Sequence, residues 1–300
     1  MIAAFVPIWV LTLLGFVAGR FRLLGAEADR VLGGFVFHLA MPAALFSILS
    51  RTRLSFSGPA LGAFAASTVV TMALGFALSR HVLGRKPGEA TIGAMAAGYV
   101  NSANLGIPVT LQVLGDATFL TGVLLFQLLV ITPVVLVALD RSAERGLRPA
   151  RLASLPLRNP VILGLAAGVL CSVLGWRPPP LIAEPLALLG GAAVPAALVA
   201  LGLSLTVRGP DLTGERTEVL ALSAMKLLAQ PLLAYLFGLL ARLSRAELLA
   251  VVVCAALPTA QNAYVYAREY GQADSVARGT VITGTALSML TLAAIGWLLG

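Results

Sequence analysis

Long apolar runs recur from one end of the chain to the other, and short polar turns separate them. Most runs hold about 18 to 25 residues, close to the roughly 20 that an α-helix needs to cross about 30 Å of hydrocarbon. The pattern predicts ten membrane spans, at 2–19, 31–49, 59–79, 90–114, 117–139, 159–174, 182–206, 217–241, 247–268 and 277–299. The predicted fold class is therefore an all-α integral membrane protein with ten transmembrane helices.

The composition of the chain agrees with a membrane protein. Hydrophobic residues make up 59% of the 300 residues and charged residues only 11%, whereas soluble chains carry roughly a quarter charged residues. The mean hydropathy of +0.94 excludes a soluble enzyme and makes the lipid bilayer the first partner. The net charge of +8 does not indicate nucleic acid as a partner, because the basic side chains lie in short loops between apolar runs.

The distribution of these basic residues predicts the orientation. Fifteen of the Lys and Arg residues fall in the odd-numbered loops and five in the even-numbered loops. Because positively charged loops stay in the cytoplasm, the odd loops are predicted to be cytoplasmic and both termini to face outward. The chain is thus expected to be a multi-pass protein of the plasma membrane, which is the inner membrane of a bacterium.

The long central loop divides the chain into two halves of five spans. The predicted domains are residues 1–139, a cytoplasmic linker at 140–158, and residues 159–300. An odd number of spans in each half gives the halves opposite orientations, which is the inverted-repeat plan of many secondary transporters. The words AMPAAL at 40–45 and AVPAAL at 193–198 recur in the second span of each half. Two inverted five-helix repeats are therefore predicted.

Polar residues and prolines interrupt the fourth and ninth spans at corresponding places. An unpaired polar group in the bilayer costs several kcal/mol, and proline removes a helical donor and frees a carbonyl. Both helices are predicted to break and to cross near the midplane, presenting half-helix N-termini to an anion and freed carbonyls to a cation. Polar contacts between helices are the structural alternative, but they do not require matched proline and amide positions. The candidate substrate-binding residues here are Asn101, Ser102, Asn104, Pro108, Pro258, Thr259, Gln261, Asn262 and Tyr264.

Other polar residues inside spans are candidates for substrate binding or ion coupling. Lys226 lies about ten residues into the eighth span, where an ammonium costs at least ~2.5 kcal/mol. It either faces the substrate path, couples to ion movement, or pairs with backbone carbonyls of a neighbouring broken helix. His38 is a proton carrier or a side chain bonded to its own helix, and Thr283 is an ion ligand or a packing residue. With Gln261 these residues could couple transport to H⁺ or Na⁺, and no other cofactor is predicted.

Enzymatic and metal-binding motifs are missing from the sequence. It has no DxxxD, HExxH or GxSxG motif and no intramembrane Asp pair, each of which would carry a known chemistry. Cys171 and Cys254 lie in separate apolar runs without another ligand nearby, so they are expected to be buried hydrophobic residues. An enzyme and a metal site are not predicted.

The motifs resemble those of the auxin efflux carrier family, which includes plant PIN carriers and bacterial malonate-type permeases. The resemblance rests on Asn101 followed by Gly-Ile-Pro at 106–108, and on the stretch at 257–271, and extends over essentially the whole chain. It implies that Asn101, Pro108, Pro258 and Asn262 line the substrate site. Ala103 departs from the bacterial pattern, which often has glycine there. The short linker implies no regulatory loop of the plant type.

The resemblance also implies a fold shared with sodium/proton antiporters and bile-acid symporters. Helices 3 to 5 and 8 to 10 would form a moving core, and helices 1, 2, 6 and 7 a scaffold through which relatives often dimerise.

The predicted function is a secondary transporter of a small organic anion, a malonate- or auxin-like mono- or dicarboxylate, by alternating access. Two alternatives remain open. One is a sodium-coupled organic-anion symporter whose ion is held by Thr259, Gln261 and freed carbonyls. The other is a membrane sensor that binds without transport.

Overall fold

The computed structural model describes residues 2–25, 27–51, 58–143, 160–204, 206 and 215–299. Within these ranges every regular element is a helix. The α-helices are α1 (Ile2–Arg20), α2 (Ala28–Phe35), α3 (Met41–Leu49), α4 (Gly58–Ala77), α5 (Pro87–Gly98), α6 (Ile107–Val113), α7 (Thr118–Phe126), α8 (Thr132–Ser142), α9 (Pro160–Val173), α10 (Pro180–Gly191), α11 (Ala193–Ser204), α12 (Arg216–Ala224), α13 (Gln230–Leu240), α14 (Arg245–Ala255), α15 (Gln261–Tyr270) and α16 (Asp274–Leu299).

Helical structure covers each of the ten predicted runs. By length and hydropathy, six stretches among the described residues are candidate membrane spans: Arg30–Leu49, Gly58–Val82, Thr118–Ser142, Pro180–Leu203, Arg216–Leu240 and Asp274–Leu299. Shorter apolar helices occupy Val10–Arg20 and Leu163–Val173, and the runs at 90–114 and 247–268 hold interrupted helices. The protein is therefore helical with several candidate spans, while ten crossings and an inverted repeat stay predictions. Most of the predicted linker, from residue 144 onward, lies outside the described residues.

Several spans continue through a proline by widening one turn. Short π-helices at Val36–Ala40, Ser102–Gly106, Gln127–Ile131 and Met225–Ala229 each precede an α-helix that has proline at its second residue. A wider turn makes room for the proline ring, which would otherwise clash with the carbonyl of the preceding turn. His38, Gln127 and Lys226 all lie in these π-helices, so the polar side chains within the spans coincide with local irregularities.

The helices pack as two groups. In the first group, α1 lies along α11, α2 also contacts α11, and α3 packs against α9 and α10. In the second group, α4 contacts α5, α13 and α14, while α16 packs against α12 and α15. We call them the scaffold group and the core group, after the predicted division of spans. Helix α6 contacts α1 and α11 and so lies between the two groups, whose relative movement remains a prediction.

Glycines allow the closest contacts in the scaffold group. A Cβ at Gly15 would overlap the carbonyl oxygen of Val199, and one at Gly202 would overlap that of Thr12. Backbones of α1 and α11 therefore approach each other directly, as small residues allow in membrane helices.

A polar cluster fastens one end of the core group. The Arg85 Nη2 atom lies 2.6 Å from Glu218 Oε2 and 3.3 Å from Glu215 Oε1. Ser79 donates to Glu218 at 3.1 Å, and Ser275 donates to Glu215. The hydrogen bond that the Arg85 guanidinium donates to Glu218 raises the pKa of Arg85 above its ordinary value, so the guanidinium stays charged throughout the physiological range. This cluster joins the turn after α4 to α12 and α16.

Candidate functional site

Two helices of the core group end in the protein interior. Helix α5 stops at Gly98 and helix α14 stops at Ala255. The chain resumes as a helix at Ser102 in one case and at Gln261 in the other. Segments without helical structure at 99–101 and 256–260 separate the halves, and we call these two segments the crossing.

The two segments of the crossing are hydrogen-bonded to each other in an antiparallel arrangement. Val100 and Thr259 form an isolated antiparallel bridge. The backbone N–H of Asn101 donates to the Pro258 carbonyl at 2.8 Å, and the backbone N–H of Ala260 donates to the Tyr99 carbonyl at 2.9 Å. Each interrupted helix therefore satisfies part of its freed backbone with the other, which answers the requirement that buried peptide groups be paired.

Gln127 in the neighbouring span satisfies the first segment of the crossing. Its Nε2 donates to the Val100 carbonyl at 3.0 Å, and its Oε1 accepts from the Ser102 hydroxyl at 2.5 Å. The Tyr99 hydroxyl lies 2.8 Å from Thr132 Oγ1, which itself donates to the Gln127 carbonyl. All of these side chains are buried, so a continuous polar network crosses this part of the core group.

The carbonyls at the ends of α5 and α14 also have partners. Thr259 Oγ1 donates to the Ala96 carbonyl at 2.6 Å. Gln230 Nε2 donates to the Gly98 carbonyl at 3.1 Å. Lys226 Nζ donates to the Ala255 carbonyl at 2.7 Å. Carbonyls that a helix end normally exposes therefore accept hydrogen bonds from buried side chains.

A cavity of about 570 Å³ lies where the crossing faces the scaffold group. Its scaffold wall consists of Arg30, Gly33, Gly34, Val36, Phe37, Ala197, Ala200 and Leu201. Its core wall consists of Asn101, Leu105, Gln261, Asn262, Tyr264, Val265, Arg278, Val281, Ile282 and Thr285. The volume is in the range of small-molecule sites, and the mixture of apolar walls with a few polar groups is typical of them.

The polar groups of this cavity favour an anion. Asn101, Gln261 and Asn262 bring amides to the wall, and α15 begins at Gln261, so its positive N-terminal end lies at the same place. Arg30 and Arg278 are the charged members of the wall. None of the described residues that line the cavity is acidic.

The predicted site residues divide between this cavity and the protein interior. Four of them line the cavity: Asn101, Gln261, Asn262 and Tyr264. Those buried in or beside the crossing, outside the cavity lining, are Ser102, Pro108, Pro258, Thr259 and Lys226.

Besides Lys226, two more of the predicted coupling residues lie outside the cavity lining. His38 is exposed, with its Nδ1 3.0 Å from the Gly34 carbonyl of its own helix. Thr283 is half-buried. The backbone of Asn104 belongs to the π-helix Ser102–Gly106, but its side chain lies outside the described part of the structure.

Sequence reasoning missed several residues of the site. Arg30 and Arg278 line the cavity, and Gln127 and Gln230 donate to carbonyls of the crossing and of the helix end before it. The sequence could have indicated the two glutamines, because each is an isolated amide in a strongly apolar run. The arginines had been assigned to loops, where charge alone does not distinguish a cavity wall from a solvated turn.

A helical chain with several candidate spans, a cavity between two helix groups and interrupted helices at that cavity define an integral membrane transport protein. The family described as "Membrane transport protein" (Mem_trans), which is the auxin efflux carrier family, matches residues 1–152 and 150–295. The chain belongs to this family, so the resemblance found in its motifs is confirmed and the protein is a membrane transporter.

Curated proteins resemble the chain over almost its whole length. A Rhizobium meliloti (strain 1021) protein named "Putative malonate transporter" is 29% identical over 98% of this chain and 94% of that protein. An "Uncharacterized transporter" of Methanothermobacter thermautotrophicus is 26% identical over 94% of this chain and 93% of its own length. The "Uncharacterized transporter YfdV" of Escherichia coli (strain K12) is 24% identical over 97% and 92%.

Proposed function

We propose that this protein is a secondary transporter that moves a small organic anion across the inner membrane, with the anion bound in the cavity at the crossing. The observation that carries the proposal is the position of the cavity. It lies between the scaffold and core groups and is bounded by the first turn of α15, which follows the break in a membrane helix. Interrupted helices at a central binding site are the usual construction of secondary transporters.

The charge of the cavity supports an anionic substrate. Each half-helix N-terminus contributes about 0.3 to 2 kcal/mol toward a carboxylate, and amide donors at Asn101, Gln261 and Asn262 add hydrogen bonds. Arg278 lies on the core wall, and Arg30, whose guanidinium forms an exposed ion pair with Glu27 at 3.4 Å, lies on the scaffold wall. A dicarboxylate such as malonate suits two separated positive groups, and the name of the R. meliloti relative agrees with that substrate class.

The same geometry supports alternating access. The exposed Arg30 belongs to both the cavity wall and the protein surface, so the cavity reaches the face that carries the end of α1 and the start of α2. By the positive-inside rule that face is cytoplasmic, and this conformation is open to the inside. Movement of the core group along the scaffold group would carry the crossing, and with it the anion, toward the other side.

The experiment uses purified protein in sealed liposomes and measures uptake of radiolabelled malonate, succinate and a monocarboxylate. For Asn101→Ala we expect uptake to fall about 10- to 100-fold, because a hydrogen bond to a charged group contributes roughly 1.5 to 3 kcal/mol. The loss should appear mainly as a higher KM, since the amide binds the substrate in its ground state.

The matched control is Gln112→Ala. Gln112 is a half-buried amide in α6 that does not belong to the cavity lining, so uptake should stay at the wild-type level. Wild-type uptake in Asn101→Ala would remove the crossing from the mechanism. Binding of malonate without flux in the wild-type protein would favour the sensor alternative instead.

A homodimer through the scaffold group is part of the proposal only as a prediction. Leucines such as Leu181 and Leu188 are exposed on α10, but an apolar surface meets lipid as readily as a second copy. Cross-linking in native membranes would decide between these.

A further inference from the structure

Lys226 is the most deeply buried charged side chain that the structure describes. Its relative exposure is 0%, and it lies in the π-helix Met225–Ala229 inside the candidate span Arg216–Leu240. No described carboxylate forms an ion pair with it. It is also absent from the cavity lining, so a direct contact with the substrate is not its role.

Lys226 bonds directly to the C-terminal end of one interrupted helix and is linked to that of the other through Gln230. Its Nζ donates to the Ala255 carbonyl, in the last residue of α14, at 2.7 Å and to Gln230 Oε1 at 2.6 Å. Gln230 in turn donates to the carbonyl of Gly98, the last residue of α5, at 3.1 Å. Helix C-termini carry negative partial charge, so the ammonium sits beside one such end and reaches the other through one amide.

We propose that Lys226 is a tethered cation. Its ammonium occupies the position at the crossing where the helix-end carbonyls would otherwise coordinate a metal ion. The charge belongs to the protein, so the crossing stays assembled without a soluble cation. A second cation at the same carbonyls would meet both occupied acceptors and like-charge repulsion. Transport by this chain is therefore independent of Na⁺. Only this last consequence rests on the proposed function.

Lys226 is thus a positioning residue, which acts by holding the backbone of the crossing. This role requires the positive charge of the ammonium, whereas simple packing would not. Thermal unfolding of detergent-purified protein tests that requirement without any transport assay. Lys226→Ala removes three methylenes and the ammonium, which together have the composition of propylammonium. The matched control is Lys86→Ala, since Lys86 is the other lysine of the chain and is exposed.

We expect the unfolding midpoint Tm of Lys226→Ala to fall by about 5 °C or more, and that of Lys86→Ala to stay near the wild-type value. Propylammonium chloride should recover part of the loss in Lys226→Ala, while 1-propanol at the same concentration should not, because it has the same length without the charge. Equal effects of the two additives, or no effect of either, would overturn the tethered cation.

The second measurement uses the wild-type chain, so it tests the tethered cation even if Lys226→Ala does not fold. Carboxylate uptake into liposomes is compared with NaCl and with choline chloride at equal ionic strength. Equal uptake is expected, and uptake that requires Na⁺ would overturn the inference while leaving the transport proposal intact. If no carboxylate is taken up under either condition, the proposed function fails, and the unfolding comparison still decides on Lys226.

Discussion

Single polar side chains make it possible for two helices to stop inside an apolar interior. Gln127, Gln230 and Thr259 are buried and donate to carbonyls at Val100, Gly98 and Ala96. In lipid no water replaces a missing donor. Each of these side chains therefore stabilises a backbone conformation that the local sequence alone would not hold.

Gln127→Leu tests this at the level of one residue. The substitution keeps the volume but leaves the Val100 carbonyl and the Ser102 hydroxyl without the partner seen here. We expect the free energy of unfolding to fall by about 1 to 3 kcal/mol, the cost of an unsatisfied buried polar group. Denaturant or thermal unfolding in detergent measures this loss. The control, Gln112→Leu, should show no comparable fall in the free energy of unfolding. Equal stability of the Gln127→Leu and wild-type proteins would mean that the crossing does not depend on this network.

At the scale of whole helices, glycines determine where two helices can approach each other most closely. In the scaffold group, α1 and α11 approach so closely that a Cβ on Gly202 would overlap the Thr12 carbonyl oxygen. Such contacts replace the hydrophobic driving force, which is absent between helices in lipid. In the candidate spans that contain proline, the π-helices serve the opposite purpose, since they let the helix continue by widening one turn.

Gly202→Ala is expected to force α1 and α11 apart. Overpacking of this kind costs about 1 to 3 kcal/mol, so the Tm in detergent should fall. Gly62→Ala is the matched control, because a Cβ on this helical glycine of α4 would meet nothing within 4 Å, and alanine favours the helix by up to about 1 kcal/mol over glycine. Similar Tm values for the two variants would show that the close contact is not maintained in solution.

The whole molecule has a predicted direction in the membrane. The odd loops carry most of the positive charge, which predicts a cytoplasmic position for the turn after α1 and an outward position for the turn between α9 and α10. The cavity, which reaches the surface at Arg30, then opens to the cytoplasm. The orientation of the protein in the membrane therefore also determines the side to which the cavity opens, and one experiment tests both.

Cysteine labelling is that experiment. Native Cys171 and Cys254 are buried, at 7% and 0% exposure, so the background should be low, whereas Arg20 and Arg177 are exposed. A membrane-impermeant maleimide added to intact cells should label Arg177→Cys and not Arg20→Cys. Permeabilised cells, as the control, should allow labelling of both. The reverse pattern in intact cells would place the cavity mouth outside.

Much of the architecture was predictable because lipid imposes a strong local constraint. A helix must be apolar for about 20 residues to span the bilayer, so hydropathy located the long apolar helices among the residues that the structure describes. Proline with nearby amides indicated where the fourth and ninth runs stop, and α5 and α14 do end there, at Gly98 and Ala255. The family could be recognised for the same reason, since its motifs lie in these interruptions.

Tertiary structure alone decided which polar residues face the cavity and which serve the backbone. Asn101 and Asn262 line the cavity, whereas Thr259 and Lys226 are turned into carbonyls of helices that lie 163 and 29 residues away in the chain. A polar residue in an apolar run has the same local pattern in both cases, because hydropathy records that a side chain is polar and not which distant group satisfies it. The assignment of Arg278 to a cavity wall rather than to a loop has the same cause.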